Sequence, residues 1–435
     1  MKSDNQSNAQ INPHTNKPWL ERVKGLLELR DFRLMWAAGG LDNTGRWMDS
    51  VVMGLLVLNL TDSAFQVALL FVCRWLPMLA FALLSGMVAD RANRWAIMLM
   101  SRSVAVIATA AIMALVISDI VEPWHVFIAS FFLGLLFVME FPSRRSLIYD
   151  LVGSDRIVSA MSLETINSTL GKFIGPFMAG MLIELTDFSG TYCFLVAVYA
   201  TSFGLILVMR GRGPVRAVSS YAFWRTVSRG FKYSVNNSVI RSVLIITLIM
   251  NAMAFSVESL FPVVARDHLG VGAGLTGILI SAQAIGSLAA ASVIASLAVI
   301  RYHGRIFCLG LALQLLSLLF FALSPWYPVS FLMLLLAGLG AAGYSTMQST
   351  IILISSEPEM RGTALGMLGQ CIGVAAVGGL AVGIVANFFS AHIAVAISVS
   401  LGLALLVPAM FFSPLVRRPI TPPSETAEST IPKPI

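Results

Sequence analysis

The stretch GMVADRANR occupies positions 86–94 and joins two long apolar runs, near 64–88 and 96–118. A helix that crosses the roughly 30 Å hydrocarbon core of a bilayer needs about 20 apolar residues, and each run reaches that length. Gly86 permits close approach of neighbouring helices, and the charged side chains that follow it can pair at helix ends. The stretch therefore predicts a charged turn between two membrane-spanning helices. Its charged residues are Asp90, Arg91 and Arg94.

Ten further apolar runs of similar length lie on either side of this pair. They fall near 33–60, 124–147, 158–186, 190–209, 241–264, 275–300, 306–325, 328–353, 363–388 and 391–415. Six runs precede a long polar segment and six follow it, which indicates a duplicated pattern. We therefore predict an all-α polytopic membrane protein with twelve transmembrane helices in two six-helix pseudo-repeats.

The polar segments give the expected domain boundaries. Residues 1–32 form a cytoplasmic N-terminal arm that lacks the apolar core of a secretory signal peptide. The two six-helix bundles are expected at 33–209 and 241–415. Between them, 210–240 is basic and has no acidic residue, so it is expected to lie as a cytoplasmic loop on the anionic inner surface. The tail, 416–435, is rich in proline, serine and threonine and is expected to be disordered and cytoplasmic.

The composition excludes an ordinary soluble protein. Of the 435 residues, 57% are hydrophobic and 12% are charged, and the mean hydropathy is +0.82. A soluble domain is about 45–50% apolar and about 25% charged, so lipid must cover much of this surface. The four cysteines lie in apolar runs, and no Cys/His cluster has metal-ligand spacing. Neither a metal site nor a cofactor is predicted.

The basic residues give the expected orientation. Most of the 29 Lys and Arg residues fall in the terminal segments, the central segment and the even-numbered turns, to which Arg102 and Arg144 are also assigned. Arg266 is the exception, in a turn on the opposite side. Because basic loops remain in the cytoplasm, both termini are expected there, with the protein in the cytoplasmic (inner) membrane. The net charge of +7 is thus assigned to topology and not to nucleic-acid binding.

The turn at 86–94 resembles the loop signature of the major facilitator superfamily, G-x-x-x-D-R-x-G-R-[RK]. The matching residues are Gly86, Asp90, Arg91 and Arg94. Asn93 stands in place of a glycine, and Trp95 in place of the last basic residue. The resemblance implies a conformational latch at this turn and two six-helix halves that move relative to one another.

A second motif, GKFIGPFMAG at 171–180, resembles the antiporter signature of the same superfamily, G-x-x-x-G-P-x-x-G-G. The matching residues are Gly171, Gly175, Pro176 and Gly180, with Ala179 in place of one glycine. Close helix packing without an antiport role is the alternative, since small residues four apart let backbones touch. Two further stretches, 142–152 and 361–366, resemble the branch of enterobactin and multidrug exporters.

Charged residues inside the predicted spans are candidates for binding a substrate or a proton. Asp42, Arg46 and Asp49 fall on one face of the first span, near mid-membrane. They form either a structural cluster that locks the helix, or a site where one carboxylate takes a proton or a substrate charge. The resemblance favours the second interpretation, because the superfamily cavity is lined by spans one, four, seven and ten. Further charged candidates are Arg74, Glu140, Glu164 and Glu258.

Each of these candidates also has a structural interpretation, a pairing with a neighbour. Arg74 can be the counter-ion of Asp42 or of Asp49. Glu140 can pair with Arg145.

Neutral candidates are Asn251 and Gln348, which can hydrogen-bond a substrate or bond between helices. Many proton-coupled exporters of the superfamily carry an arginine in span four, in the pattern R-x-x-x-G. Alignment of that glycine with Gly134 puts Ser130 at the arginine position, so coupling through that arginine is not expected.

The combined expectation is a secondary active transporter that exports a small, partly apolar organic molecule, drug-like or siderophore-like, by alternating access with proton antiport. The alternatives are an importer of a nutrient or lysolipid on the same fold, and a non-transporting membrane sensor. An enzyme is not expected, because H-E-x-x-H, G-x-S-x-G and P-loop motifs are absent from the sequence. The expected partners are the substrate, protons and the lipid bilayer, without nucleic acid, and the chain is expected to be a monomer.

Overall fold

The computed structural model of the chain describes residues 19–91, 93–153, 156–210, 231–296, 302–357 and 360–417. Within these ranges the secondary structure consists of helices joined by short turns. The first half contains α1 (Trp19–Leu27), α2 (Arg30–Thr61), α3 (Ala64–Arg91), α4 (Arg94–Ile117), α5 (Pro123–Val152) and α6 (Ile157–Leu207). The second half contains α7 (Ser238–Met250), α8 (Phe261–Asp267), α9 (Ala273–Ser296), α10 (His303–Leu323), α11 (Tyr327–Ser355), α12 (Arg361–Gly373), α13 (Ala375–Phe388), α14 (Ala391–Phe412) and α15 (Pro414–Arg417).

The helices confirm an all-α, multi-pass membrane protein. Among the described residues, ten segments are long and apolar enough to cross a membrane. One of them, Ser159–Leu207, has 49 residues, and at 1.5 Å per residue its length of about 74 Å exceeds twice the hydrocarbon core. α6 is broken at Asp187, where φ is 58° and ψ is −172°. The number twelve remains a prediction, in which α6 crosses twice and the more polar α2 supplies the further crossing.

Glycines let α6 pack directly on α2. A Cβ built on Gly171 would lie 2.7 Å from the Cβ of Asn43, and one built on Gly175 would lie 2.7 Å from the carbonyl oxygen of Thr44. Both distances are too short for non-bonded atoms, so neither position has room for a side chain. The close-packing role of these glycines is therefore visible in the fold, and an antiport role stays a prediction.

The two halves meet along two seams. In the first seam α6 packs on α9, where a Cβ built on Gly180 would lie 3.0 Å from the Cα of Gly277. In the second seam α3 packs on α12 and α13, where a Cβ built on Gly373 would lie 2.6 Å from the Cα of Leu79. Small residues at both seams bring the backbones of the two halves into contact.

The assignment of Arg102 and Arg144 to polar turns is wrong. Arg102 lies within α4 and is 2% exposed, and Arg144 lies within α5 and is 6% exposed. Each guanidinium is surrounded by carboxylates, which offset the cost of removing it from water. These two arginines therefore belong to the interior of the first half and not to its basic surface.

The turn after α3 is only partly described. Asn93 caps α4 by accepting hydrogen bonds from the backbone N–H groups of Trp95 and Ala96, and Arg94 is paired with Asp150 of α5. The surroundings of Gly86 and the side chains of Asp90 and Arg91 lie outside the described residues. The same holds for most of the predicted central loop, 211–230, and for the tail from 418 onward.

Candidate functional site

A cavity of about 640 Å³ lies between the two halves, and we call it the central cavity. Side chains of α2, α3, α5 and α6 line it from the first half. The span 238–267, together with α9, α10 and α11, lines it from the second half. Sites for small molecules are about 300–1,000 Å³ in volume, so the central cavity can hold one such ligand.

One wall of the central cavity is aromatic and is built by both halves. The ring centroid of Trp75 lies 5.0 Å from that of Phe255, 6.0 Å from that of Phe71 and 6.3 Å from that of Phe137. Phe255 belongs to the second half and the other three rings to the first. Rings at such separations attract one another, and together these four line the cavity with an apolar surface that a ligand can contact.

Two cations of the first half lie on aromatic rings at the edge of the cavity. The guanidinium carbon of Arg46 is 4.1 Å from the ring centroid of Phe137. The Nζ atom of Lys172 is 4.5 Å from the ring centroid of Trp47. Cation–π contacts hold both charges beside the cavity, where they can meet the polar part of a ligand.

Asp42 lies behind this wall, in the interior of the first half, and is 3% exposed. Its Oδ2 is 2.8 Å from Nη2 of Arg46, and its Oδ1 is 2.7 Å from Nη1 of Arg102. The same Nη1 donates to Oε2 of Glu140 at 2.7 Å, and Oγ of Ser101 donates to that oxygen at 2.9 Å. Arg102 therefore joins α4 to carboxylates of α2 and α5.

Arg102 is a residue that the sequence analysis missed. It is the single charged residue in the apolar run 96–118, which is the pattern typical of a paired intramembrane charge. That signal could have identified it. Arg102 lies close to the basic turn at 86–94, so its charge alone does not show whether it belongs to that turn or to the membrane-spanning helix.

Asp49 forms a second buried pair with Arg74 of α3. Oδ2 of Asp49 accepts from Nη1 of Arg74 at 2.8 Å, and Nη2 of Arg74 donates to the carbonyl oxygen of Arg46 at 3.4 Å. Asp49 is 0% exposed. Of the two counter-ions considered for Arg74, the structure thus selects Asp49. Ser130, at the position of the absent arginine, is buried and donates to the carbonyl oxygen of Leu70 at 3.4 Å.

Arg144 joins α5 to α6. Its Nη2 donates to Oε2 of Glu164 at 3.1 Å, and its Nη1 lies 3.8 Å from Glu140 and 3.9 Å from Asp42. The guanidinium occupies the space where a Cβ of Gly39 would lie, so α2 needs a glycine there. Glu140 is accordingly paired with Arg102 and Arg144, and not with Arg145.

These pairs unite α2, α4, α5 and α6 in one charge network, and α3 is tied to α2 by the second pair. The arrangement favours the structural interpretation of Asp42 and Asp49. A proton-binding role for either of them stays a prediction.

The second half contributes an irregular helix to the central cavity. Between α7 and α8 the chain forms a π-helical segment, Asn251–Phe255, and a 3₁₀ segment, Ser256–Leu260. Such irregularities are frequent at functional sites. Glu258 borders the cavity, and its Oε1 accepts a hydrogen bond from Nε2 of Gln283 at 2.8 Å. Within the described ranges, Glu258 forms no ion pair with an arginine or a lysine.

The neutral candidates are held by neighbours in the second half. Nδ2 of Asn251 donates to the carbonyl oxygen of Thr247 at 2.9 Å. Nε2 of Gln348 donates to Oγ1 of Thr247 at 2.7 Å and to the hydroxyl of Tyr344 at 2.6 Å. Both residues border the cavity, so each can also meet a ligand.

Gln314 of α10 also borders the cavity and was not predicted. It is 0% exposed, and in the described part of the chain neither its Oε1 nor its Nε2 has a hydrogen-bond partner. An amide in an apolar run was the available signal. As for metals, the described residues contain no group of three His, Cys, Asp or Glu side chains that could hold an ion.

Long apolar helices around a partly charged central cavity define a multi-pass membrane transporter. The fold is similar to that of a crystallised POT family transporter, with a TM-score of 0.73 and 10% identity over 89% of this chain and 97% of that one. It is also similar to the nucleoside transporter NupG, with a TM-score of 0.68 and 14% identity over 88% and 98%. At this identity the likeness shows the fold alone.

The chain belongs to the transmembrane secretion effector family of the major facilitator superfamily, which residues 26–431 match. It is 24% identical over 358 residues to the staphyloferrin A transporter of Staphylococcus aureus, covering 79% of this chain and 87% of the relative. It is 22% identical over 379 residues to the enterobactin exporter EntS of Escherichia coli, covering 83% and 88%. The superfamily resemblance is thus confirmed, and the protein is a transporter and not an enzyme.

Proposed function

We propose that the protein exports a small, partly apolar organic molecule, of the drug or siderophore kind, across the cytoplasmic membrane. The observation that carries this proposal is the central cavity, whose volume of about 640 Å³ suits one such molecule. The aromatic wall around Trp75 would take the apolar part. The charged and amide groups on both sides of the cavity would take the polar part. The direction of transport draws support from the enterobactin exporter among the relatives.

The proposed transport step is alternating access, in which the two halves rock about the central cavity. Contacts between the halves at one end of the bundle support it. Nη1 of Arg266 lies 2.8 Å from Oδ1 of Asp62, and the backbone N–H of Gly274 donates to Oε2 of Glu184 at 2.9 Å. The lining of the cavity extends toward the other end, to Arg145. We infer that the cavity opens at that end.

The proposed orientation places the open end in the cytoplasm, together with both termini. Arg266, the basic residue on the opposite side, is explained by its pairing with Asp62 and with Asp267 at 2.7 Å. Local carboxylates offset its charge, so it does not oppose the orientation given by the other basic residues.

The proposed energy source is the exchange of protons for substrate. The glycine motif at 171–180 resembles that of antiporters, and the cavity holds carboxylates that water can reach. Each elementary charge that crosses the membrane with the potential contributes about 2.3 kcal/mol per 100 mV. That is enough to concentrate a small molecule against its gradient.

Transport into liposomes tests the proposal. Purified protein is reconstituted with an acidic interior, and the uptake of ethidium and of labelled dihydroxybenzoylserine is followed. We expect wild-type protein to accumulate at least one of the two probes. Trp75→Ala should reduce the rate about tenfold through loss of the aromatic wall, whereas Trp326→Ala, a 70% exposed residue at the start of α11, should not. Equal rates for the two variants would argue against the cavity as the transport site.

A further inference from the structure

Glu258 differs from the other carboxylates around the central cavity in forming no ion pair within the described part of the chain. Asp42 and Asp49 are each paired with arginines at 2.7–2.8 Å, and Glu140 and Glu164 are held by Arg102 and Arg144. A carboxylate that is paired with a buried arginine offsets a charge that would otherwise be buried without a partner. Those four carboxylates are therefore committed to arginines of the first half.

The contacts of Glu258 suit either protonation state. Its Oε1 accepts from the Gln283 amide at 2.8 Å, a neutral donor that persists whether or not the carboxyl group carries a proton. Its side chain borders the cavity, so water and ligand can reach it. It lies in the 3₁₀ segment directly after a π segment, where the helix is least regular.

Lys172 is the basic group that acts on Glu258 from the other half. It borders the same cavity, and its charge interacts electrostatically with the Glu258 carboxylate. The ammonium rests on the Trp47 ring at 4.5 Å, and the described residues show no ion pair for it. Lys172 belongs to the first half and Glu258 to the second, so their attraction acts across the cavity.

The other elements packed around Glu258 add little charge. α9 and α13 contain no ionisable residue. Arg74 of α3 is committed to Asp49. Arg266 and Asp267, at the end of α8, pair with each other. His392 lies in the first turn of α14.

We propose that Glu258 is the residue that binds and releases the coupling proton, with Lys172 of the other half as its counter-cation. This inference rests on the proposed proton antiport. When the cavity faces the more acidic side, an O–H bond forms at the Glu258 carboxylate as hydronium becomes water. The reverse transfer to water occurs on the other side. Protonation removes the attraction to Lys172, so the proton biases the two halves toward a different arrangement.

Infrared spectroscopy tests the assignment without a substrate. Purified protein in liposomes is titrated from acidic to alkaline pH, and the C=O band of protonated carboxyl groups is followed. We expect a titrating band in wild-type protein that is absent from Glu258→Gln and present in Glu164→Gln, since Glu164 is paired with Arg144. Loss of the Lys172 charge in Lys172→Met should move the midpoint of the band to higher pH, because the ionised carboxylate loses its attraction.

Three results would overturn the assignment. They are a band that survives in Glu258→Gln, a band that is lost equally in Glu164→Gln, and a midpoint that Lys172→Met leaves unchanged. Circular dichroism and thermal melting of each variant show whether it is folded. A folded Glu258→Gln protein without the band supports the assignment.

Transport separates this inference from the proposed function. If wild-type protein accumulates ethidium under a pH gradient, Glu258→Gln should lose accumulation and keep exchange of labelled for unlabelled ethidium. Gradient-driven accumulation by Glu258→Gln would overturn the role of Glu258 alone. Ethidium movement by wild-type protein that ignores the gradient would instead overturn the antiport, and with it this inference.

Discussion

The Nη1 atom of Arg102 lies 2.7 Å from Oδ1 of Asp42, and both side chains are buried within the first half. Glu140 accepts a hydrogen bond from the same guanidinium. Through Arg144 the network continues to Glu164. Four helices are thereby fixed around charges that cannot separate without exposing an unpaired ion, so the first half has the features of a rigid body.

Removal of the Arg102 charge should destabilise the first half strongly. In Arg102→Leu, both Asp42 and Glu140 lose a buried partner, and breaking such a pair costs about 3–5 kcal/mol. We expect low yield and a lower melting temperature in detergent. Arg145→Leu is the control, because Arg145 rests on the Phe141 ring at 4.1 Å and forms no ion pair in the described residues. Equal melting temperatures for the two variants would show that the network does not hold the fold.

Asp49→Asn should affect stability and not coupling. The change leaves Arg74 without its carboxylate, so the melting temperature should fall. The number of protons moved per ethidium should remain that of wild-type protein, since Asp49 is 0% exposed and the proton site is placed at Glu258. Stopped-flow measurement of both fluxes gives this ratio. A folded Asp49→Asn protein that transports ethidium without protons would move the coupling site to α2.

For Asp42 and Asp49, the sequence predicted that both side chains lie on the same face of one helix. Their spacing placed them on one face of α2, and the structure buries both of them, each in its own ion pair. Their partners could not be derived, because a pairing between helices depends on the depth and rotation of each helix. Arg102 was misplaced for the same reason. It lies eight residues after the basic turn, and only the packing of α4 against α5 and α6 reveals that it points inward, toward Asp42 and Glu140.

Gly175→Ala should separate α6 from α2. The new methyl group would lie 2.7 Å from the backbone nitrogen of Met48 and from the carbonyl oxygen of Thr44. Forcing extra volume into a packed interface costs about 1–3 kcal/mol, so the melting temperature should fall. Gly204→Ala is the matched control in the same helix, since nothing lies within 4 Å of its Cβ. If the two variants have the same melting temperature, close packing of the motif does not contribute to stability.

A link between positions 62 and 266 should block transport. Asp62 is 84% exposed, so its pair with Arg266 contributes about 0–1 kcal/mol and its loss alone should be mild. Cysteines at these two positions, in a variant without the native cysteines, can be joined by a short bifunctional thiol reagent. We expect the joined protein to lose ethidium transport and a reducible reagent to permit recovery. Full transport by the joined protein would contradict alternating access at this end.

Hydropathy separates six apolar runs from six others and so predicts two six-helix halves, and the number of spans in each half stays a prediction. The central cavity was predictable only as a place where charged spans converge. The aromatic wall was not predictable, since Trp75 and Phe255 lie far apart in the chain and meet at the seam between the halves. That Glu258 forms no ion pair with an arginine among the described residues could likewise be seen only from the packed structure.

The most direct test of the proposed coupled export is the simultaneous measurement of proton and ethidium flux in liposomes that contain wild-type protein. A pH-sensitive dye inside the liposomes reports proton movement when ethidium is added outside. We expect ethidium entry to release protons from an acidic interior. Protein-free liposomes should show neither flux, and Glu258→Gln should exchange ethidium without moving protons. Ethidium entry with an unchanged interior pH in wild-type protein would contradict proton antiport.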